Sequence, residues 1–223
     1  MKPLILINFK VYPESIGKKG ILLAQKIAKV KSKKYQIGIS PTTLDIVEIA
    51  RTLKNKNHSL LLFAQHSDSN DLGAHTGSVT LEELKAWKIS GVIINHSENI
   101  LKLPEIKIEV EKCRKLKMQS VVCASNLKDI QNIANMKPDY LAYEPAELIG
   151  GNISVTSANP KIILQAVKLV KEASPKTKLL CGAGIHSRED LLQALKLGAA
   201  GVLLAHAVVK ARDPKIFLEK MLK

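Results

Sequence analysis

The sequence predicts an α/β fold in which eight parallel strands, each followed by a helix, close into a (β/α)8 barrel. Three observations carry that expectation. Short apolar runs alternate with longer amphipathic stretches along the whole chain, the pattern of parallel strands joined by helical crossovers. Eight such pairs fit within 223 residues, the size of a compact barrel. No Pro/Gly/Ser-rich linker separates them, and 46% hydrophobic content is enough to bury a sizeable core, so residues 1–223 are expected to form one barrel domain.

Leu4–Asn8 opens the chain as the first strand, and the amphipathic Ile16–Val30 returns it as a helix. Tyr35–Ile39 and Thr43–Leu53 form the second pair, Leu60–Ala64 and Leu81–Trp87 the third, and Gly91–Asn95 and Glu105–Leu116 the fourth. The fifth pair is Gln119–Cys123 with Leu127–Ala134, and the sixth is Tyr140–Tyr143 with Pro160–Ala173. Ser157 and Asn159-Pro160 read as the start of that sixth helix, since Asn caps helices and Pro suits a first turn. Lys178–Cys181 with Arg188–Leu197 and Gly201–Leu204 with Pro214–Leu222 complete the set. In such a barrel the groups just beyond each strand's carboxyl end converge on one face, so the search for chemistry reduces to strand ends.

Composition removes several function classes. A formal charge of +14 attracts nucleic acid, membranes and anionic metabolites alike. Base reading favours arginine, of which there are only Arg51, Arg114, Arg188 and Arg212, and single-strand binding favours aromatics, only 4% here. Most lysines lie in helical segments, such as Lys18, Lys19, Lys26 and Lys29, and read as a solvated face that weakly steers a phosphorylated substrate. Cys113, Cys123 and Cys181 form an odd set with no CxxC pair, which supports neither a disulfide framework nor a zinc site. His58, His66, His75 and His186 lack metal-ligand spacing, and no metal is predicted. Gly182-Ala183-Gly184 lacks the last glycine of a dinucleotide fingerprint. With no apolar run of about 20 residues and no secretory signal, a cytoplasmic protein is expected.

Three strand ends carry chemistry. Asn8 and Lys10 stand two residues apart after the first strand, where alternation points an amide and an ammonium to one side, a pair suited to an oxygen-rich anion. The fourth strand runs into His96-Ser97-Glu98, and if Ser97 and Glu98 open a helix, its positive amino end disfavours a protonated imidazole. The sixth delivers Glu144, followed by Pro145 and a loop ending in Ile149-Gly150-Gly151 that is placed to close over a substrate and exclude water. Each motif alone is compatible with a structural role. The set supplies a base, a neutral hydrogen-bond donor and a cation, the roles that proton abstraction beside a carbonyl requires.

Asn8-Phe9-Lys10, Phe63-Ala64-Gln65-His66, His75-Thr76-Gly77, Asn95-His96-Ser97-Glu98, Ala142-Tyr143-Glu144-Pro145 and Cys181-Gly182-Ala183-Gly184-Ile185, in that order and spacing, resemble the signatures of triosephosphate isomerase, most closely the short archaeal type. The resemblance covers nearly the whole chain. It implies a TIM barrel that interconverts dihydroxyacetone phosphate and D-glyceraldehyde 3-phosphate through an enediolate with no cofactor. That family is itself the standing example of a glutamate base beside a neutral histidine, so those roles come with the resemblance. It implies that Glu144 moves the proton, His96 polarises the carbonyl, Lys10 and Asn8 hold the reacting oxygens, and Glu98 orders Lys10. It further implies phosphate contacts from the backbone of Ile149, Gly150, Gly151, Gly184, Ala205 and His206. Thr76 resembles the residue that braces a neighbouring subunit, which implies a homo-oligomer, a dimer at least and a tetramer from the short chain.

Two positions depart from the family pattern. His206 stands where relatives carry a small residue, and its imidazole is expected to turn outward; Ile100 stands where an arginine is common, so a supporting salt bridge is absent or rebuilt. Another phosphate-binding barrel lyase or synthase shares the fold, and a noncatalytic nucleic-acid binder accounts for the charge, but neither accounts for Asn8, Lys10, His96 and Glu144 together.

Overall fold

Eight parallel strands hydrogen-bond in chain order, β1 to β8, and β8 returns to β1 to close a barrel. The structure is a computed structural model that describes residues 2–54, 58–145 and 159–223. The strands are β1 (Leu4–Asn8), β2 (Gln36–Ser40), β3 (Leu61–Ala64), β4 (Gly91–Ile94), β5 (Gln119–Ala124), β6 (Tyr140–Tyr143), β7 (Lys178–Cys181) and β8 (Gly201–Leu204). The described helices are α1 (Gly17–Ala28), α2 (Ile46–Leu53), α3 (Leu81–Ala86), α4 (Leu103–Leu116), α5 (Leu127–Ala134), α6 (Pro160–Ala173), α7 (Arg188–Lys196), α8 (His206–Val209) and α9 (Pro214–Met221). None of the helices among the described residues is long and apolar enough to cross a membrane.

Two apolar layers follow from the strand period of two. One set of side chains, including Leu4, Leu6, Phe63, Val121, Tyr140, Ala142, Leu180 and Leu203, fills the barrel interior. The alternate set, including Ile5, Ile7, Val92 and Val122, packs outward against the helices. Phe63 needs room to lie across the interior, and Gly91 supplies it. A Cβ at Gly91 would sit 2.6 Å from the Phe63 ring and 2.3 Å from the Gln119 carbonyl oxygen.

Local chemistry sets where the elements begin and end. Asn159 caps α6 by accepting the Ile162 N–H at 3.2 Å, with Pro160 in the first turn. α4 starts two residues earlier than expected, because Pro104 suits the first turn and the Glu105 carboxylate accepts the Lys102 N–H at 2.8 Å. β4 stops at Ile94 because Asn95 is left-handed at φ +59°. The four-residue α8 is too short to show a helical period and went unpredicted.

Candidate active site

The inward alternation that buries Leu6, Phe63, Ala142 and Leu180 continues to Asn8 at the end of β1 and, past the other strands, to Gln65, Glu144 and Gly182. They meet at the carboxyl end of the barrel. A pocket opens there, lined among others by Asn8, Lys10, Tyr12, His96, Glu144, Gly184, Ala205 and His206.

Lys10 reaches the site by a different route from the strand alternation expected of it. β1 ends at Asn8, and Lys10 takes a left-handed backbone at φ +50°, held because its N–H donates to Asn8 Oδ1 at 2.9 Å. Its ammonium then donates to Glu98 Oε1 at 2.7 Å. Gln65 ties the start of the site together, its Nε2 lying 3.3 Å from Asn8 Oδ1, 3.2 Å from the Lys10 carbonyl and 3.0 Å from the Ser40 carbonyl. Sequence reasoning gave Gln65 no role, although its place two residues after the inward Phe63 was a signal for one.

His96 is buried, and no helix opens at Ser97 as expected. Residues 97–99 form a turn closed by the Asn99 N–H on the His96 carbonyl at 2.7 Å, and α4 starts later, at Leu103. The imidazole is kept neutral by other means: burial first and the Lys10 charge second push its pKa down, against an opposing pull from Glu98. Its Nδ1 accepts the Glu98 N–H at 3.1 Å. A ring nitrogen that accepts carries no proton, so the tautomer assigned by this bond puts the hydrogen on Nε2. That nitrogen lies 3.8 Å from Glu144 Oε1. With the ring neutral, this approach and the 3.7 Å one from Nδ1 to Glu98 Oε2 are contacts of dipoles with charges and not ion pairs.

Glu144 is held by its backbone and by what lies beneath it. Its N–H donates to the Ala124 carbonyl at 2.9 Å, and the Gly182 N–H donates to the Tyr143 carbonyl at 2.9 Å. Gly182 has to be glycine, since a Cβ there would come within 2.3 Å of Glu144 Cγ. Burial pushes the carboxyl up to about 7, partly offset by a hydrogen bond from the Cys123 thiol and by the Lys10 charge. Glu144 Oε2 is buried with no hydrogen-bond partner among the described residues. A carboxylate so placed is desolvated and reactive toward a proton on a bound carbon acid.

His206 opens α8 at the pocket edge with its side chain exposed, as expected, and its ring lies 6.4 Å from that of Tyr12. Gly184 is left-handed at φ +67°, a conformation that suits glycine. Ile149, Gly150 and Gly151, the expected closing loop, lie outside the described residues, as does Ser157. Thr76 is exposed in the β3 to α3 loop. The cysteines are buried, with thiols pushed up by burial, Cys181 to about 12, so none is a ready nucleophile.

A family model described as Triosephosphate isomerase matches residues 3–222. The triosephosphate isomerase of Methanocaldococcus jannaschii is 40% identical over 221 residues, 99% of each chain. That of Archaeoglobus fulgidus is 41% identical over 218 residues, 97% of this chain and 96% of its own. The crystal structure of triosephosphate isomerase from Bartonella henselae aligns over 100% of both chains with a TM-score of 0.78 at 18% identity, a likeness of fold.

Proposed function

The chain belongs to the triosephosphate isomerase family, and from that premise we propose how its own residues interconvert dihydroxyacetone phosphate and D-glyceraldehyde 3-phosphate. The single observation that carries the reading is the facing pair of Glu144 and His96, one raised to about 7 and the other lowered, 3.8 Å apart in one pocket.

The Glu144 carboxylate removes a proton from the carbon beside the substrate carbonyl. The carbon–hydrogen bonding electrons become the carbon–carbon double bond of an enediolate, and the carbonyl electrons move onto oxygen. His96 Nε2–H donates a hydrogen bond to that oxygen as charge develops, which is useful because the ring is neutral and already oriented through Nδ1. Lys10, fixed by Glu98, and Asn8, fixed by Gln65, offset the negative charge. A proton passes from the substrate hydroxyl oxygen to the former carbonyl oxygen by way of His96 Nε2, and as Glu144 returns its proton to the neighbouring carbon the deprotonated oxygen re-forms the carbonyl, so one carboxyl serves both half-reactions. The phosphate sits on backbone amides of Gly184, Ala205 and His206, with Ile149, Gly150 and Gly151 supplying the closing side.

The working unit is one barrel domain in a homo-oligomer, at least a dimer and in the short-chain form a tetramer, with Thr76 at the subunit interface, in the cytoplasm. Supporting the oligomer are the exposed Thr76 loop and the exposed apolar Val11, Leu44 and Leu72. The test of the chemistry is isomerisation in deuterium oxide. A proton held on a carboxyl exchanges with solvent, so the product is expected to carry deuterium on the carbon that receives it. Product wholly free of solvent deuterium would count against an exchangeable carboxyl base.

A further inference from the structure

We propose that the groove between α8 and α9 is a second anion subsite contiguous with the triose pocket, so that the enzyme also takes small bisphosphorylated ligands, one phosphate in each. The proposal rests on the reading of Gly184, Ala205 and His206 as the first phosphate site. His206 and Ala207 line both cavities, and Lys210, Arg212, Lys220, Ile216 and Phe217 line the groove with them.

The short helix sets the spacing. The Lys210 N–H donates to the His206 carbonyl at 3.0 Å, one helical turn on, which puts the two residues about 6 Å apart along the axis. The Lys210 ammonium lies 4.6 Å from the centre of the Tyr12 ring, and Tyr12 lines the triose pocket, so this cation stands on the shared wall. Arg212 and Lys220 are exposed and form no ion pair among the described residues, whereas nearby Lys215 is paired with Glu219 at 2.8 Å. The groove's carboxylate, Asp213, is engaged as the cap of α9, accepting the Ile216 N–H at 3.0 Å. Half-exposed Ile216 offers apolar contact to a carbon chain between the two anionic ends. Triose phosphates carry one phosphate and leave these cations without a task, and a guanidinium with two ammonium groups in a shared groove suits a second phosphate dianion.

The test is calorimetric titration of the full-length protein at low salt with butane-1,4-diol bisphosphate and with butyl phosphate, in the parent and in Arg212→Gln/Lys220→Gln. The bisphosphate is expected to bind the parent about tenfold more tightly than the monophosphate. In the double variant that ratio is expected to fall to about two, the statistical factor for two equivalent ends, with monophosphate affinity and triose turnover unchanged. A ratio of two or less in the parent, or a ratio that survives in the variant, overturns the proposal. If butyl phosphate binds and the bisphosphate has no advantage, the subsite alone fails; if neither binds, the phosphate reading beneath it fails too.

Discussion

Glu144 owes its reactivity to burial opposed by two neighbours. Burial raises its carboxyl to about 7, while the Cys123 thiol and the Lys10 ammonium hold it from rising further. A base has to be ionised, so kcat/KM for the free enzyme is expected to be level above pH 7 and to fall about tenfold per unit below it. Cys123→Ala removes one lowering contact and is expected to move that acid limb to higher pH. A pH–rate profile flat to pH 5, or one that Cys123→Ala moves downward, would contradict the account. Asn8, Lys10, His96, Glu98 and Glu144 were legible in the sequence because each stands at a strand end and carries chemistry. Gln65 was not, since a neutral amide announces no reaction and its value lies in the three oxygens it holds in place. Nor was the backbone of Lys10 and Asn95, whose left-handed turns are held by side-chain bonds, to Asn8 at the strand end for the one and to the Cys123 carbonyl and Leu101 N–H for the other.

At the scale of elements, the loop from β3 to α3 is strapped to α4 through two buried side chains of that helix, Lys112 and Glu109. Lys112 reaches Asp71 at 3.0 Å, Glu82 at 3.3 Å and the Asn70 carbonyl, while Ser67 donates to Glu109. Ile100, where the resemblance led to the expectation of an arginine, is exposed and contributes no charge. The ion pairs described in this region run through Lys112, one turn from Glu109 on α4. Reading the lysines as a solvated face missed this, because Lys112 and Glu109 occupy the apolar stripe where periodicity anticipates hydrophobic residues. Burial is the largest influence on Glu109 and raises it to about 7; Asp68 and Glu105 add to the rise, and the Ser67 hydrogen bond and Lys112 oppose it. A carboxyl raised in the folded state favours folding while protonated, so its contribution is whole below the unfolded value and is lost as pH rises through about 7. Glu109→Gln removes that dependence. The variant is expected to gain on the parent between pH 5 and pH 8 by an amount on the order of 3 kcal/mol, read as the pH dependence of the difference in Tm. A difference independent of pH would contradict it. The eight strand and helix pairs themselves were legible from periodicity, and the misplaced ends of β4 and α4 fall where a left-handed residue and a cap override it.

For the whole molecule, the barrel explains why residues from β1, β4 and β6 meet at all, and its exposed rim explains why one chain is not the expected working unit. Thr76 and the exposed Leu44 and Leu72 are expected to be covered by a second copy. Light scattering at micromolar concentration should give the mass of about four chains, and Thr76→Arg should lower both that mass and kcat; a fully active monomer would contradict the oligomeric reading. This barrel face is expected to isomerise triose phosphates with Glu144 as its base. The most direct measurement is the coupled rate of glyceraldehyde 3-phosphate isomerisation by the parent and by Glu144→Gln, each checked for folding by its Tm. The parent is expected to be active and the variant slowed by about a thousandfold or more, with Tm kept or raised because a buried carboxyl has been made neutral. A folded, oligomeric parent without activity, or a variant within about tenfold of it, would contradict the claim.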